Sequence, residues 1–255
     1  MHPAKLSHAV LISRVAPGQW HVLEDDLVVG RGEVSQRPDG RQFVSIDAWH
    51  DAAFDRLAAA MMTALPRPLY TVVDESDLDL THRWRRAGFT TRRREWEYAV
   101  PTDPLVTGLD PAPPPGVMIK AFGSAEEAPL HALDRAIRAE VDAGPGWPDM
   151  PAEVLVRPVL DRSRYAVAAQ GGRYVGLLRV AMVTRLPRIG LVAVLAEHQR
   201  RGIARALLAH TLTALHHLGR ETASAEITES NAAATALFEG IGARRTGSNL
   251  ELILG

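Results

Sequence analysis

The sequence predicts an α/β (α+β) protein of two lobes, each a mixed, mostly antiparallel twisted sheet flanked by helices. Three observations carry that prediction. Residues 101–116 contain Pro101, Pro104, Pro111 and the run Pro113-Pro114-Pro115. Proline fixes φ and removes a donor, so this density reads as a semi-rigid linker between a first lobe, 1–100, and a second, 117–255. Strand-like and helix-like segments alternate on both sides of it, which is the pattern of a mixed sheet. Short motifs also recur in the same order in the two halves, which reads as a duplicated fold.

The repeat is short but ordered. Val28-Val29-Gly30-Arg31-Gly32 resembles Tyr174-Val175-Gly176-Leu177-Leu178, each a strand with a glycine at its third position. Upstream, Trp20-His21-Val22-Leu23 sits where Tyr165-Ala166-Val167-Ala168 sits in the second half. Trp84-Arg85-Arg86-Ala87-Gly88 matches Phe238-Glu239-Gly240-Ile241-Gly242, and Glu97 falls at the spacing of Glu251.

In the first half the pattern predicts strands near 20–24, 27–36 and 42–47, helix 51–64, strand 69–74, helix 77–87 and strand 91–99. The second half opens with strand 117–122, a helix capped by Ser124 and running to about 142, a Gly/Pro loop at 144–151 and a short helix 152–161. Ser124 with Glu127 three residues on forms the sequence of a capping box. Strands near 164–170, 174–183 and 188–195 follow as a meander, with Gly171-Gly172 at its first turn. Helix 201–218, strand 222–228, helix 231–240 and strand 245–254 complete the lobe, and Gly219 and Gly240 stand where its helices stop. The first half has no room for the two helices that open the second.

Composition bounds the function. The 255 residues are 46% hydrophobic and 23% charged, with formal net charge −1 and no cysteine. Disulfides, cysteine-ligated metals and thiol nucleophiles are excluded. A near-neutral chain has no global pull toward nucleic acid or anionic membrane, so any phosphate site must be local. The run Ala9-Val10-Leu11-Ile12 is too short for a signal-peptide core or a membrane span, and the expected location is cytoplasmic. Basic residues are almost all arginine, with Lys5 and Lys120 the lysines, a bias that suggests a GC-rich bacterial genome.

The candidate site lies where Gly190-Leu191-Val192-Ala193-Val194-Leu195 runs through a basic loop into a helix at Gln199-Arg200-Arg201-Gly202-Ile203-Ala204-Arg205. First-turn backbone N–H groups have no intrahelical acceptors, and the helix dipole is positive there, so an anion binds readily. Gly202 permits close approach, Ala204 keeps the next contact small, and Arg200, Arg201 and Arg205 add charge. A Walker A loop would end in Gly-Lys-Ser/Thr, which is absent. Gly30-Arg31-Gly32 lacks the third glycine of a dinucleotide fingerprint and lies inside a strand. The bland reading of 199–204 is an ordinary basic helix start.

The order strand, Gln-x-x-Gly-x-Ala, amphipathic helix, strand, then Asn231…Leu237-Phe238-Glu239…Gly242 resembles the Gcn5-related N-acetyltransferases over residues 117–254. The resemblance implies acetyl-CoA as cosubstrate and no metal. Backbone groups of Val192 and Val194 would pair with pantetheine, residues 199–204 would hold the pyrophosphate, and Arg200, Arg201 or Arg205 would face the 3′-phosphate. Asn231 corresponds to a residue often near the cofactor. Phe238 stands where the family's general-acid tyrosine is usual, and phenylalanine has no proton to give. The family's strand-four glutamate is missing too. Glu226 and Glu229 are the nearest candidates for a base acting through water, against an ion pair or a solvated acid as the plain reading. Trp147, in the loop between the two early helices, is expected to wall the acceptor pocket, the acceptor being a small-molecule or peptide amine.

The first half carries Asp47 and Asp51 at the matching helix start, so it resembles a degenerate lobe that does not bind the cofactor. Because the chain ends near the sixth strand of the second lobe, the first lobe is expected to complete that sheet, through residues 8–15. His210, His216 and His217 are read as surface or core residues. The cluster Arg83, Arg85, Arg86 and Arg92-Arg93-Arg94 is read as a solvated helix end and edge strand, with no nucleic-acid and no membrane partner. Two function classes stay open, an N-acetyltransferase and a non-catalytic acyl-CoA-binding or sensing module; a monomer and a homodimer are equally open.

Overall fold

The structure, a computed structural model, describes residues 10–37, 39–144, 160–183 and 186–255. The chain divides into two compact units, one of Met1–Arg94 with Asn249–Gly255 and the other of Glu95–Ser248.

Unit 1 runs β1 (Val10–Ala16), β2 (Gln19–Glu24), β3 (Leu27–Gln36), β4 (Gln42–Ala48), α1 (Asp51–Ala64), β5 (Leu69–Asp74), α2 (Leu78–Arg86) and the opening of β6 (Thr90–Pro101). Strands β1 to β4 pair antiparallel in sequence order. β4 and β5 are parallel and meet at Gln42↔Leu69 and Phe43↔Tyr70. Beyond β5 lies the end of β12 (Arg244–Leu254), antiparallel from Asn249↔Asp74 to Leu254↔Leu69. α1 buries Ala53, Phe54, Leu57, Ala58 and Met61, a stripe at helical spacing.

The glycine pair in β3 explains how α1 lies so close. A Cβ on Gly30 would come within 2.9 Å of both Leu57 Cδ1 and Val22 Cγ1, and one on Gly32 would overlap Met61 Sδ. Gly30-Arg31-Gly32 is therefore a packing device. Gly30→Ala is expected to cost about 1–3 kcal/mol by overpacking, read as a lower urea midpoint; an unchanged midpoint would show that α1 does not need this close approach.

Unit 2 takes the rest of β6, then α3 (Pro104–Thr107), β7 (Val117–Lys120), α4 (Glu127–Ala143), β8 (Tyr165–Gln170), β9 (Arg173–Val183), β10 (Leu186–Val194), α5 (Ile203–His217), β11 (Thr222–Thr228), α6 (Ala232–Glu239) and the opening of β12. β7, β8, β9 and β10 pair antiparallel in order, β10 and β11 are parallel, and β11 pairs antiparallel with β6. Gly171 and Gly172 both have positive φ, 57° and 78°, and turn β8 into β9. On one face α5 packs Leu207, Leu208, Leu212 and Leu215 against Ala166, Val175, Leu178 and Ile189. On the other, α4 packs Leu130, Leu133 and Ile137 against Tyr165, Val167 and Leu177.

Four expectations need correction, and two more fall out of view. First, the boundaries differ from 1–100, 101–116 and 117–255, because residues 249–255 belong to unit 1 and residues 95–100 to unit 2. Second, the proline stretch is more than a linker: Leu109 is buried in the α5-side core, and Thr102 is buried with its N–H donating to Glu221 O at 3.2 Å. Third, the segment that completes unit 2's sheet is 95–101, paired from Thr222↔Pro101 to Thr228↔Glu95, and not 8–15. Residues 10–15 pair with β2 in unit 1. Fourth, Ser124 does not cap α4. Its hydroxyl donates to Ala121 O at 2.6 Å to close the turn at Gly123, and Glu126 holds the N-cap position without a side-chain bond. The expected loop at 144–151 and helix at 152–161 fall mostly on 145–159, outside the described residues.

Candidate active site

The site begins where two parallel strands part. β10 and β11 pair at Arg188↔Ser224 and Ile189↔Ala225. β10 continues along β9 through Val192↔Leu178 to Val194↔Gly176, with a register shift between Ile189 and Leu191. The shift is a bulge at Gly190, and bulges bend the strand that carries them. From there on, Val192 and Val194 follow β9 while β11 falls away, leaving a wedge between the strands. Gln199 Nε2 donates to Val194 O at 3.0 Å, so this side chain braces the loop.

The loop then turns through two left-handed residues, Arg200 at φ 62° and Gly202 at φ 82°, into α5. Gly202 is the N-cap and offers no side chain to the first turn. Three other helices are closed, since His50 Nδ1 accepts from Ala53 N in α1, Asp77 Oδ1 from Leu80 N in α2 and Asn231 Oδ1 from Ala234 N in α6, while α4 lacks a side-chain cap but opens on the carboxylates of Glu126 and Glu127. The start of α5 thus keeps its N–H groups for an outside anion. Arg200, Arg201 and Arg205 are exposed around it, and Ala204 is half-buried. Ile203 is buried in the core, so only its backbone faces the anion position. Gly176 makes this packing possible: a Cβ there would lie 3.2 Å from Ala193 O and 3.4 Å from Ile203 Cγ2. Gly30 does the same for unit 1, which gives the repeated strand glycine a physical reason.

Arg200 holds a backbone conformation that costs an ordinary residue roughly 1–2 kcal/mol. Such strain persists where function demands it. Arg200→Gly is expected to raise stability by roughly 0.5–1 kcal/mol, net of glycine's extra chain entropy, while weakening CoA binding severalfold through the lost charge. A variant that is both less stable and equally tight would contradict the reading.

The expected catalytic carboxylates are not gathered. Glu226 on β11 is ion-paired with Arg188 on β10 at 3.0 Å, and Glu229 lies in the exposed turn after β11. Asn231 is the cap of α6, and Phe238 is buried in the α5-side core. Trp147 is outside the described residues. What the sequence reading missed is where β6 belongs, beside β11. Its Glu97 stands directly across from Glu226, and its buried Tyr98 donates its hydroxyl to Glu239 Oε1 at 3.0 Å and accepts from Arg245 Nε at 2.9 Å. Glu97 carried one visible signal, its match to Glu251, but nothing local says that residues 95–101 belong beside β11.

Five of the six arginines in the cluster of 83–94 have carboxylate partners. Arg83 pairs with Asp51 at 2.8 Å, Arg86 with Asp55 at 3.0 Å, and Arg94 with Glu75 at 2.6 Å. Arg92 and Arg93 reach Glu251. This explains the cluster better than a solvated edge does. Burial pushes the His210 imidazole below its ordinary pKa. Among the described residues no group of three or more His, Cys, Asp or Glu is placed to hold a metal, and no helix is long and apolar enough to cross a membrane.

Residues 134–243 match the model of the acetyltransferase (GNAT) family. No curated protein matches the sequence. Among solved structures, a GCN5-related N-acetyltransferase from Sphaerobacter thermophilus is similar at 17% identity and TM-score 0.66, over 95% of this chain and 82% of that one. A tandem GNAT protein from the clavulanic acid biosynthesis pathway is similar at 16% identity and TM-score 0.65, over 92% and 82%. A GCN5-related N-acetyltransferase from Kribbella flavida shares 18% identity with TM-score 0.56, over 97% and 89%. Residues 134–243 are therefore similar to the GNAT acetyltransferases, and the chain shares its fold with solved GNAT structures that include a tandem one.

Proposed function

We propose that this protein is a cytoplasmic bacterial N-acetyltransferase. Its second lobe moves an acetyl group from acetyl-CoA to a primary amine of a small molecule or peptide by direct attack, and its first lobe binds no cofactor. The observation that carries the reading is the wedge between β10 and β11 leading to a helix start with a glycine cap and three exposed arginines. Backbone groups of Val192 would hold the pantetheine arm, with Val194 contributing what Gln199 leaves available. The N–H groups at Gly202, Ile203 and Ala204 would hold the pyrophosphate. The corresponding helix in unit 1 opens with a His50 cap and Asp51, whose carboxylate pairs with Arg83 and Arg86. The His50 cap already occupies a first-turn N–H group that a phosphate would need.

In the transfer, the amine nitrogen bonds to the acetyl carbon, the carbon–sulfur bond breaks, the amine loses one proton and the thiolate gains one. Glu226 or Glu229 would take the amine's proton through water, and solvent would supply the thiolate's, since Phe238 has none to give. The Arg188–Glu226 ion pair favours the second reading, a non-catalytic acyl-CoA-binding module. Calorimetric titration with acetyl-CoA, followed by thiol release across a panel of amines, antibiotics and peptides, separates the two. Binding with turnover supports the enzyme and binding without turnover supports the sensor. Absence of binding defeats both.

A further inference from the structure

The loop between β10 and α5 is held from outside by side chains of two other elements. It opens with a single 3-10 turn, Ala196–His198, which Leu195 caps without a side-chain bond. Leu195 N–H donates to Val175 O of β9 at 2.9 Å, His198 N–H to Leu195 O at 2.8 Å and Gln199 N–H to Ala196 O at 3.2 Å. The N–H of Ala196 is bound differently. It meets the carboxylate of Glu140, with Oε1 at 3.0 Å and Oε2 at 3.2 Å. Glu140 stands in the last turn of α4, the helix on the sheet face opposite α5. Two residues beyond Ala196, His198 Nδ1 lies 3.1 Å from Gln170 Oε1 at the end of β8.

Nothing in α4 itself calls for a carboxylate at position 140. Its last turn holds Glu140 and Asp142 and no basic residue, although a helix C-terminus disfavours negative charge. Glu140 and Ala196 are both exposed, so burial does not force them together. The charge-assisted bond to Ala196 N–H gives the residue its place. The repeat shows why unit 2 needs such a tie. Only Trp49 and His50 stand between β4 and α1, whereas residues 195–202 separate β10 from α5 and include the left-handed Arg200 and Gly202. Ordering a backbone costs roughly 1–2 kcal/mol per residue, so a loop already held in place removes that cost from binding.

We propose that Glu140 is a positioning residue for the cofactor. By holding Ala196 N–H it fixes the loop in the conformation that presents the N–H groups of Gly202, Ile203 and Ala204 to a pyrophosphate. This rests on the acetyl-CoA reading of the wedge and adds the residue that keeps its anion end ready. It also makes α4, a helix of the opposite sheet face, a support of the cofactor site through one side chain. Gln170 holds the middle of the same loop through His198, so Glu140 acts on the loop's first residues and not on its whole course.

The test titrates the full chain with CoA and with pantetheine, which has no pyrophosphate, and follows the urea unfolding of each variant. Glu140→Ala is expected to weaken CoA about fivefold, the worth of one net hydrogen bond, and to leave pantetheine unchanged. Its urea midpoint is expected to stay or rise, because the change removes an acid from the end of α4 and brings in a better helix former. A residue of purely structural role would lower that midpoint. Glu140→Gln keeps an acceptor oxygen and is expected to bind CoA within about twofold of wild type. Hydrogen exchange at the Ala196 amide is expected to quicken in Glu140→Ala. Equal CoA affinity in wild type and Glu140→Ala, or an equal loss for pantetheine, would overturn the proposal and leave cofactor binding standing. A wild-type chain that binds no CoA would defeat the acetyl-CoA reading and this proposal with it.

Discussion

Glu251→Gln is expected to destabilise unit 1 by about 3–5 kcal/mol, the usual result of removing one partner from a buried charge cluster. Glu251 is only 3% exposed. Arg92 Nη1 donates to it at 2.7 Å, Arg93 Nη2 at 2.9 Å and Arg41 Nη1 at 3.2 Å, and Arg37 Nη1 lies 3.6 Å away. One carboxylate therefore gathers four guanidiniums against the stacked rings of Phe43 and Tyr70. The aromatic faces attract cations but cannot cancel their mutual repulsion. Glutamine keeps the shape and removes the charge, leaving four crowded guanidiniums of which Arg41 keeps its pairing with Asp39. Urea unfolding measures the effect. A double-mutant cycle with Arg92→Gln should recover part of the loss, because the second change relieves repulsion that the first creates. A loss below about 1 kcal/mol would place the cluster with ordinary solvated surface pairs.

That cluster also marks where sequence reading stops. Strands and helices were legible within a few residues, because period-two alternation and helical stripes are local, and glycines such as Gly171, Gly172 and Gly219 punctuate them. The repeated strand glycine was legible as a pattern, and the structure supplied its cause in the helix packed above it. The glycine-capped helix start follows from adjacent residues, so it too could be read; the wedge needs β11, whose pairing with β10 joins Arg188 to Ser224. Partners distant in the chain could not: Glu251 lies 159 residues from Arg92 and 158 from Arg93. β6 misled for the same reason. Its alternation identifies a strand but not its neighbour, so Glu97 was assigned to the first lobe and its pairing with Glu226 stayed hidden. Ser124 failed differently, since a serine before a helix can close the preceding turn as readily as cap the helix.

Gly202→Asp is expected to lower CoA affinity by about 100-fold, roughly 2.7 kcal/mol, while leaving the fold nearly intact. Position 202 has φ 82°, and aspartate is among the few residues that visit that region with local hydrogen bonding. An added Cβ would meet Pro114 Cγ at 3.4 Å, which a small shift accommodates. At an N-cap the new carboxylate can accept from the first-turn N–H groups, offsetting the backbone strain. Those same groups are the ones an incoming pyrophosphate would need, and the carboxylate repels it as well. The substitution would thus give α5 the kind of occupied, negatively charged start that α1 already has at His50 and Asp51. Gly202→Asn separates the two causes, because it fills the N–H groups without the charge; its loss should be about tenfold and less sensitive to salt than that of the aspartate. Wild-type CoA affinity in Gly202→Asp, with folding confirmed by an unchanged urea midpoint, would remove the pyrophosphate from the start of α5 and with it the main support for cofactor binding in this wedge.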